Sequence, residues 1–292
     1  MLIAAFEGWN DAGEAASTAV AHLTEEWGAQ SFASIDPEEF FDFSSTRPEV
    51  QLNEDDTREI VWPSNEFSSA RLGATSRDVI LLSGTEPQLR WKSFSALIID
   101  VARALGVDMV VTLGALLADV PHSRPVRITG TAADADLIEK LDLQRSRYEG
   151  PTGIVGVLHD ALGKAGIRSC SLWATVPHYL PGTLSPKAAL ALVERAADLL
   201  GVSVETLDLQ IATTQYERQV TDVVEADEDM AGYVRRLELS HDSGDDLDDD
   251  DEDDDENDEE VDPRDAFRDA DGNLPNGDAL AAELERYLRD QG

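Results

Sequence analysis

The chain is short of basic residues, of cysteine and of long apolar runs. Against 60 Asp and Glu there are 23 Lys and Arg in 292 residues, a formal charge of −37. Such a surface repels phosphate backbones and anionic bilayers, which argues against nucleic acid and against membrane as partners. Only four of the cations are lysines: Lys92, Lys140, Lys164 and Lys187. All four fall in predicted helices, which speaks against an ATP-dependent ligase, since those enzymes usually clamp nucleotide with lysines on strands. The single cysteine, Cys170, excludes an internal disulfide and a Cys-based zinc cluster. It reads as a small core residue of a strand. No apolar run is long enough to span a bilayer, and Leu2–Phe6 is too short, and lacks the basic flank, for a signal peptide. A cytoplasmic protein is expected. A strand that begins at residue 2 is also compatible with a start further upstream. No metal-spaced His pair, nucleophile elbow or dinucleotide fingerprint occurs, so neither a catalytic set, a metal nor a cofactor is expected.

What is present is an α/β pattern. Val79-Ile80-Leu81-Leu82 is an unbroken apolar run, as in a strand buried on both faces. Thr85 and Gln88 fit a capping box with Pro87 in the first turn, and Phe94, Leu97, Ile98, Val101 and Leu105 follow at helical spacing. A second buried run, Met109–Leu113, ends at Gly114. Strand, helix and strand make a parallel crossover. Leu2–Phe6, Ser31–Ile35, Arg58–Trp62, Val126–Gly130 and Arg168–Val176 read as further strands. Helical stripes run over Ala16–Trp27, Ala133–Leu141, Ile154–Leu162 and, capped by Ser185 and Pro186, Ala189–Leu200. The expected fold is a three-layer sandwich with a mostly parallel sheet, like the phosphorylase/hydrolase-like fold, plus a helical C-terminal extension.

Four divisions follow. Residues 1–202 form the α/β core and 203–239 a helical extension, either one helix or a hairpin. Residues 240–275 form an acidic linker; between His241 and Asp262 stand 16 carboxylates and no Lys or Arg, too much like charge to collapse. Residues 276–292 hold a short amphipathic helix with Leu280, Leu284, Tyr287 and Leu288 on one side, a candidate partner-binding face. Residues 36–57, with Phe40, Phe41 and Phe43, read equally as a subunit contact or as a loop that tucks its aromatics onto the domain.

Ligands of open α/β sheets bind outside the carboxyl ends of the strands. The turns expected there supply the candidate crevice residues Trp9, Asn10, Asp11, Glu86, His122, Arg124, His178 and Tyr179. Convergence of Asp11, Glu86 and Asp119 with His122 and His178 would allow acid–base chemistry. A phosphate-holding group would come from Arg90, Arg124 or Arg127. Asn10 and Asp11 also read as plain helix caps.

Several ordered blocks carry a resemblance: Phe6-Glu7-Gly8-Trp9-Asn10-Asp11-Ala12-Gly13, Leu82-Ser83-Gly84-Thr85-Glu86-Pro87 with Trp91, Val111-Thr112-Leu113-Gly114-Ala115, Pro121-His122-Ser123-Arg124-Pro125, Gly153-Ile154-Val155-Gly156 and Val176-Pro177-His178-Tyr179. Over about residues 1–200 the chain resembles the proteasome assembly chaperone 2 family in its actinobacterial form. The resemblance implies a fold like that of purine nucleoside phosphorylases, assembled into trimers or other homo-oligomers. It also implies a non-enzymatic, chaperone-like role toward an unidentified client protein. It supplies no catalytic residues. Proteasome-docking relatives can end in a hydrophobic residue, tyrosine and one final residue. This chain ends Leu288-Arg289-Asp290-Gln291-Gly292, which speaks against direct tail docking. The alternative reading is a small-ligand enzyme of nucleoside phosphorylase or hydrolase type, which rests on fold analogy alone.

Overall fold

In the computed structural model, residues 1–53, 56–73, 77–132, 137–138 and 150–243 are described. In chain order the first half comprises β1 (Leu2–Glu7), α1 (Ala15–Glu26), β2 (Gln30–Ile35), β3 (Glu49–Leu52), β4 (Arg58–Val61), β5 (Asn65–Leu72), β6 (Arg77–Thr85) and α2 (Trp91–Ala104). The second half comprises β7 (Met109–Ala118), β8 (Ile128–Ala132), α3 (Ile154–Lys164), β9 (Arg168–Pro177), α4 (Pro186–Leu200), α5 (Leu207–Glu225) and α6 (Glu228–Ser243).

Seven strands form one sheet in the order β2-β5-β6-β1-β7-β9-β8. Its centre, β6-β1-β7-β9, is parallel, and antiparallel pairing of β5 and β8 extends it on either side. The pleat of β1 sorts the core. Ile3 and Ala5 join α1 and α4 on one face; Leu2, Ala4 and Phe6 join α2 and α3 on the other. All five are essentially without solvent contact. Each large apolar side chain so buried contributes about 1.5–3 kcal/mol, which makes β1 the spine of the three-layer sandwich. Alanines let the α1 and α4 backbones approach each other: Ala15, Ala16 and Ala19 are buried on the first, Ala188, Ala189 and Ala196 on the second.

The excursion after β2 divides in two. Phe40 and Phe41 are buried, and the Phe40 ring meets Phe94 edge-on at 5.4 Å. Beyond them β3 and β4 form a separate antiparallel ribbon in which every residue is exposed. Residues 203–239 hold a hairpin of two helices rather than one long helix. Its seam is Tyr216, Val220, Val224 and Val234, packed on Tyr179 and Leu180 of the turn after β9.

Several details differ from the sequence expectation. Neither β3 nor β5 is among the strands expected there. β6 continues through Ser83, Gly84 and Thr85, which pair with Ala5, Phe6 and Glu7, so α2 begins only at Trp91 behind Arg90 at φ 53°. β7 likewise runs past Gly114 to Ala118. Gly114 is there because the Trp173 ring of β9 lies against it; a Cβ would stand 2.7 Å from that ring. Most of the predicted Ala133–Leu141 helix, the acidic segment beyond Ser243, and Leu280, Leu284, Tyr287 and Leu288 lie outside the described residues. Among the described residues no helix is long and apolar enough to cross a membrane.

Candidate functional site

The carboxyl ends of β1, β6, β7 and β9 do lie along one edge of the sheet, and the eight candidate residues follow them. They fall into two groups, and among the described residues no hydrogen bond or ion pair joins one group to the other.

The first group belongs to the turns after β1 and β6. Asn10 is buried, and its Nδ2 donates to Glu86 Oε1 at 2.8 Å. The same oxygen accepts from the backbone N–H of Ile154 at 2.7 Å. Glu86 thereby places negative charge on the first turn of α3, where the helix dipole favours it. The side chain of Asn10 presses on Gly153: a Cβ there would meet Asn10 Nδ2 at 2.2 Å. Asp11 accepts from the N–H groups of Ala16 at 2.6 Å and Ser17 at 3.3 Å. It caps α1 across an intervening 3-10 turn. Burial pushes its carboxyl above the usual value, against the pull of the hydrogen bonds from Ser17 and Ala16. Trp9, next in the turn, is 66% exposed.

The second group ties the α5–α6 hairpin to the sheet edge. The backbone N–H of His122 donates to Tyr179 Oη at 2.8 Å, and His122 Nδ1 lies 2.8 Å from the same oxygen. Thr221 of α5 donates to the Glu217 carbonyl and so accepts from His122 Nε2 at 3.1 Å. Burial, followed by nearby Lys187, lowers the pKa of the ring from 6.5, which favours the neutral form, with Nδ1 accepting from the Tyr179 hydroxyl. Burial likewise pushes the Tyr179 phenol up to about 12. Lys187 donates to the His122 carbonyl at 2.6 Å and pairs with Glu217 at 2.5 Å.

Ionic ties hold α6. Arg124 grips Asp242 with two bonds, at 2.7 and 2.6 Å, and stands 3.4 Å from Glu238. Ser123 also donates to Glu238. His178 meets Asp119 at 2.8 Å, and Tyr233 of α6 donates to that carboxylate at 3.3 Å. The His178, Tyr179 and Tyr233 rings contact one another edge-on. The space left between His122, Lys187, Ser185 and Tyr216 is about 10 Å³, room for one water and no ligand.

The chemistry expected from these residues therefore takes another form. Asp119 and His178 do meet, but Asp11 and Glu86 serve helix N-termini instead of joining them. Of the proposed phosphate-holding arginines, Arg124 is engaged by α6 and Arg90 pairs with Glu39 at 2.7 Å. Cys170 is buried, and burial pushes its thiol up to about 11, which removes it as a nucleophile at neutral pH. Among the described residues no group of three or more His, Cys, Asp or Glu is placed to hold a metal. Sequence reasoning missed Thr221, Glu238 and Asp242, which complete the second group from about a hundred residues away. No local pattern signals such a contact.

A family model described as PAC2 family matches residues 5–224. A PAC2 family protein from Streptomyces avermitilis is similar at 46% identity and TM-score 0.75, over 80% of this chain and 98% of its own. A proteasome-assembly chaperone homologue from Mycobacterium tuberculosis matches at 45% identity and TM-score 0.73, over 80% and 99%. An archaeal proteasome activator from Pyrococcus furiosus shares the fold at 20% identity and TM-score 0.63, over 76% and 92%. No curated protein matches the chain.

Proposed function

Because the chain belongs to the PAC2 family, we propose that it acts as a protein-binding, assembly-chaperone-like subunit of a homo-oligomer whose client is not yet known. The single observation that carries this reading is that the protein's own α5–α6 hairpin fills the part of the strand-end crevice beyond β7 and β9. Enzymes of this sheet architecture keep that crevice open for substrate. Here His122, Arg124 and Tyr179 are hydrogen-bonded into a docking seam, which leaves about one water's volume beside them. The relative from Mycobacterium tuberculosis, a proteasome-assembly chaperone homologue, supports the same direction. The exposed surface fits as well: Trp9, Leu117 and Leu184, all at or beyond the strand ends, are 66, 48 and 57% exposed.

The test pairs two assays. Full-length protein and a chain ending at Ser243 are used to capture partners from extract, and nucleosides with phosphate are screened by thermal shift and turnover. The expected result is stoichiometric capture of a protein and no response to nucleosides. Turnover of a nucleoside with no captured protein would replace the chaperone reading with the enzymatic one.

A further inference from the structure

The β3–β4 ribbon takes no part in the docking seam, and its backbone has a directional property. Its register pairs Glu49 with Val61, Val50 with Ile60, Gln51 with Glu59 and Leu52 with Arg58. At its open end the N–H of Asn53 donates to the Thr57 carbonyl at 2.8 Å. Residue 57 therefore turns its polar groups inward. By the alternation of antiparallel ladders, residues 59 and 61 do the same, and Arg58, Ile60 and Trp62 turn theirs outward. Among the described residues no strand pairs with either outer edge.

The two edges are not equivalent. On β3 the outward row is 48, 50 and 52, and Pro48 has no N–H to offer. On β4 the neighbouring proline, Pro63, falls in the inward row, so the outward row at 58, 60 and 62 keeps every donor. One face of the ribbon is also apolar. Val50, Leu52, Ile60 and Trp62 share it and are 63, 67, 56 and 45% exposed. Trp62 is held on that face by an edge-on contact with Phe43 at 4.8 Å. A two-stranded ribbon is marginal by itself, and an open edge of this kind is a template for another strand.

We propose that the outer edge of β4 pairs antiparallel with the β4 edge of a second copy, centred on Ile60, to join the two ribbons into one four-stranded sheet. The inference rests on the homo-oligomer reading above and specifies its surface. Side-chain pairing favours a second copy. With Ile60 opposite Ile60 of the second copy, Arg58 lies opposite the second Trp62, an arrangement that favours a cation–π contact. Glu59 lies opposite Val61, so no carboxylate faces another. The antiparallel arrangement also sends the two turns that hold Asp56 to opposite ends of the seam. In a chain of net charge −37 this register places no carboxylate directly opposite another. It engages all three outward residues of each copy.

Cysteine scanning tests the register directly, because the one native thiol, Cys170, is buried. Ile60→Cys puts two thiols across the two-fold within disulfide reach. Val61→Cys leaves its pair of thiols displaced along the strands, beyond the roughly 7 Å limit between α-carbons. Under mild oxidation Ile60→Cys is expected to give about tenfold more linked dimer than Val61→Cys. Mixing Glu59→Cys with Val61→Cys should restore linkage. Light scattering on the unmodified chain runs beside it. If the chain assembles but Ile60→Cys links no better than Val61→Cys, the β4 seam is wrong and the homo-oligomer stands. A chain that is monomeric at every concentration overturns both.

Discussion

Gly153 is fixed by what presses on it. Asn10 and Glu86 fill the place of its side chain, so Gly153→Ala must push apart the group that starts α3. Overpacking of this kind costs about 1–3 kcal/mol. The urea midpoint should fall accordingly; an unchanged midpoint would show that the turn after β1 yields freely. His122 makes a different prediction. Its folded-state pKa lies below 6.5 because burial disfavours the charged ring and Lys187 is near, although Glu238 and Glu217 pull the other way. Unfolded chain takes up a proton that the folded form refuses, so the stabilisation is whole above pH 6.5. It declines as the pH falls below that value, until folded His122 itself is protonated. Asp242 works in a lower window, since Arg124 holds its carboxyl at about 2. Its contribution is therefore present above pH 3.8 and lost only as the pH approaches 2. The protection factors of the α5 amides should fall as the pH drops below 6.5, and His122→Gln should remove that dependence. His122, Arg124, His178 and Tyr179 stood out in the sequence because polar and aromatic residues follow strand ends there. Their role did not, since Thr221 and Asp242 reach them through the tertiary fold alone.

The α5–α6 hairpin is attached by polar ties, one small apolar cluster and, from the start of α5, Leu209 against the main core. It should therefore open before the sandwich does. Tyr179→Phe removes the hydroxyl that satisfies both the ring and the backbone of His122, at a cost of about 1–3 kcal/mol. Arg124→Ala removes an ion pair that solvent screens, a smaller loss. Both should speed amide exchange in α5 and α6 and leave β1, β6 and β7 unchanged. A uniform loss of protection would show that the hairpin is integral to the core. The same contrast explains which elements were legible in advance. β1, β6 and β7 announce themselves because strands covered on both faces need unbroken apolar runs, and β9 through the alternation of Cys170, Leu172 and Ala174. β5 does not: Ser68 and Ala70 fill buried positions between Phe67 and Leu72, and small or polar residues there erase the pattern. β3 has four residues, all exposed, so burial imposes no signature on it. The start of α2 was misplaced because Thr85, Pro87 and Gln88 carry capping chemistry while β1 holds Thr85 in the sheet.

Charge acts on the molecule as a whole. Residues 244–292 contain 22 Asp and Glu against four Arg, a share of −18 in the total of −37. Copies of such a chain repel one another beyond contact distance, and salt shortens that reach to about 8 Å at physiological strength. Self-association should therefore strengthen as salt is raised, and more for the full chain than for one ending at Ser243. Sedimentation at low and high salt checks this; equal responses would place the repulsion in the α/β body. The sheet order has a consequence for synthesis. β1 sits between β6 and β7, and its register joins Leu2 to Ile80 and to Val110. This buried strand is made before both of its neighbours, which are still untranslated when it leaves the ribosome. At about 5–20 residues per second, β1 waits several seconds for β6 and longer for β7. During that interval Leu2, Ile3 and Phe6 have no sheet to join. This protein, itself read as a helper of assembly, depends in its own biogenesis on that first strand staying unaggregated until residue 118 has been made.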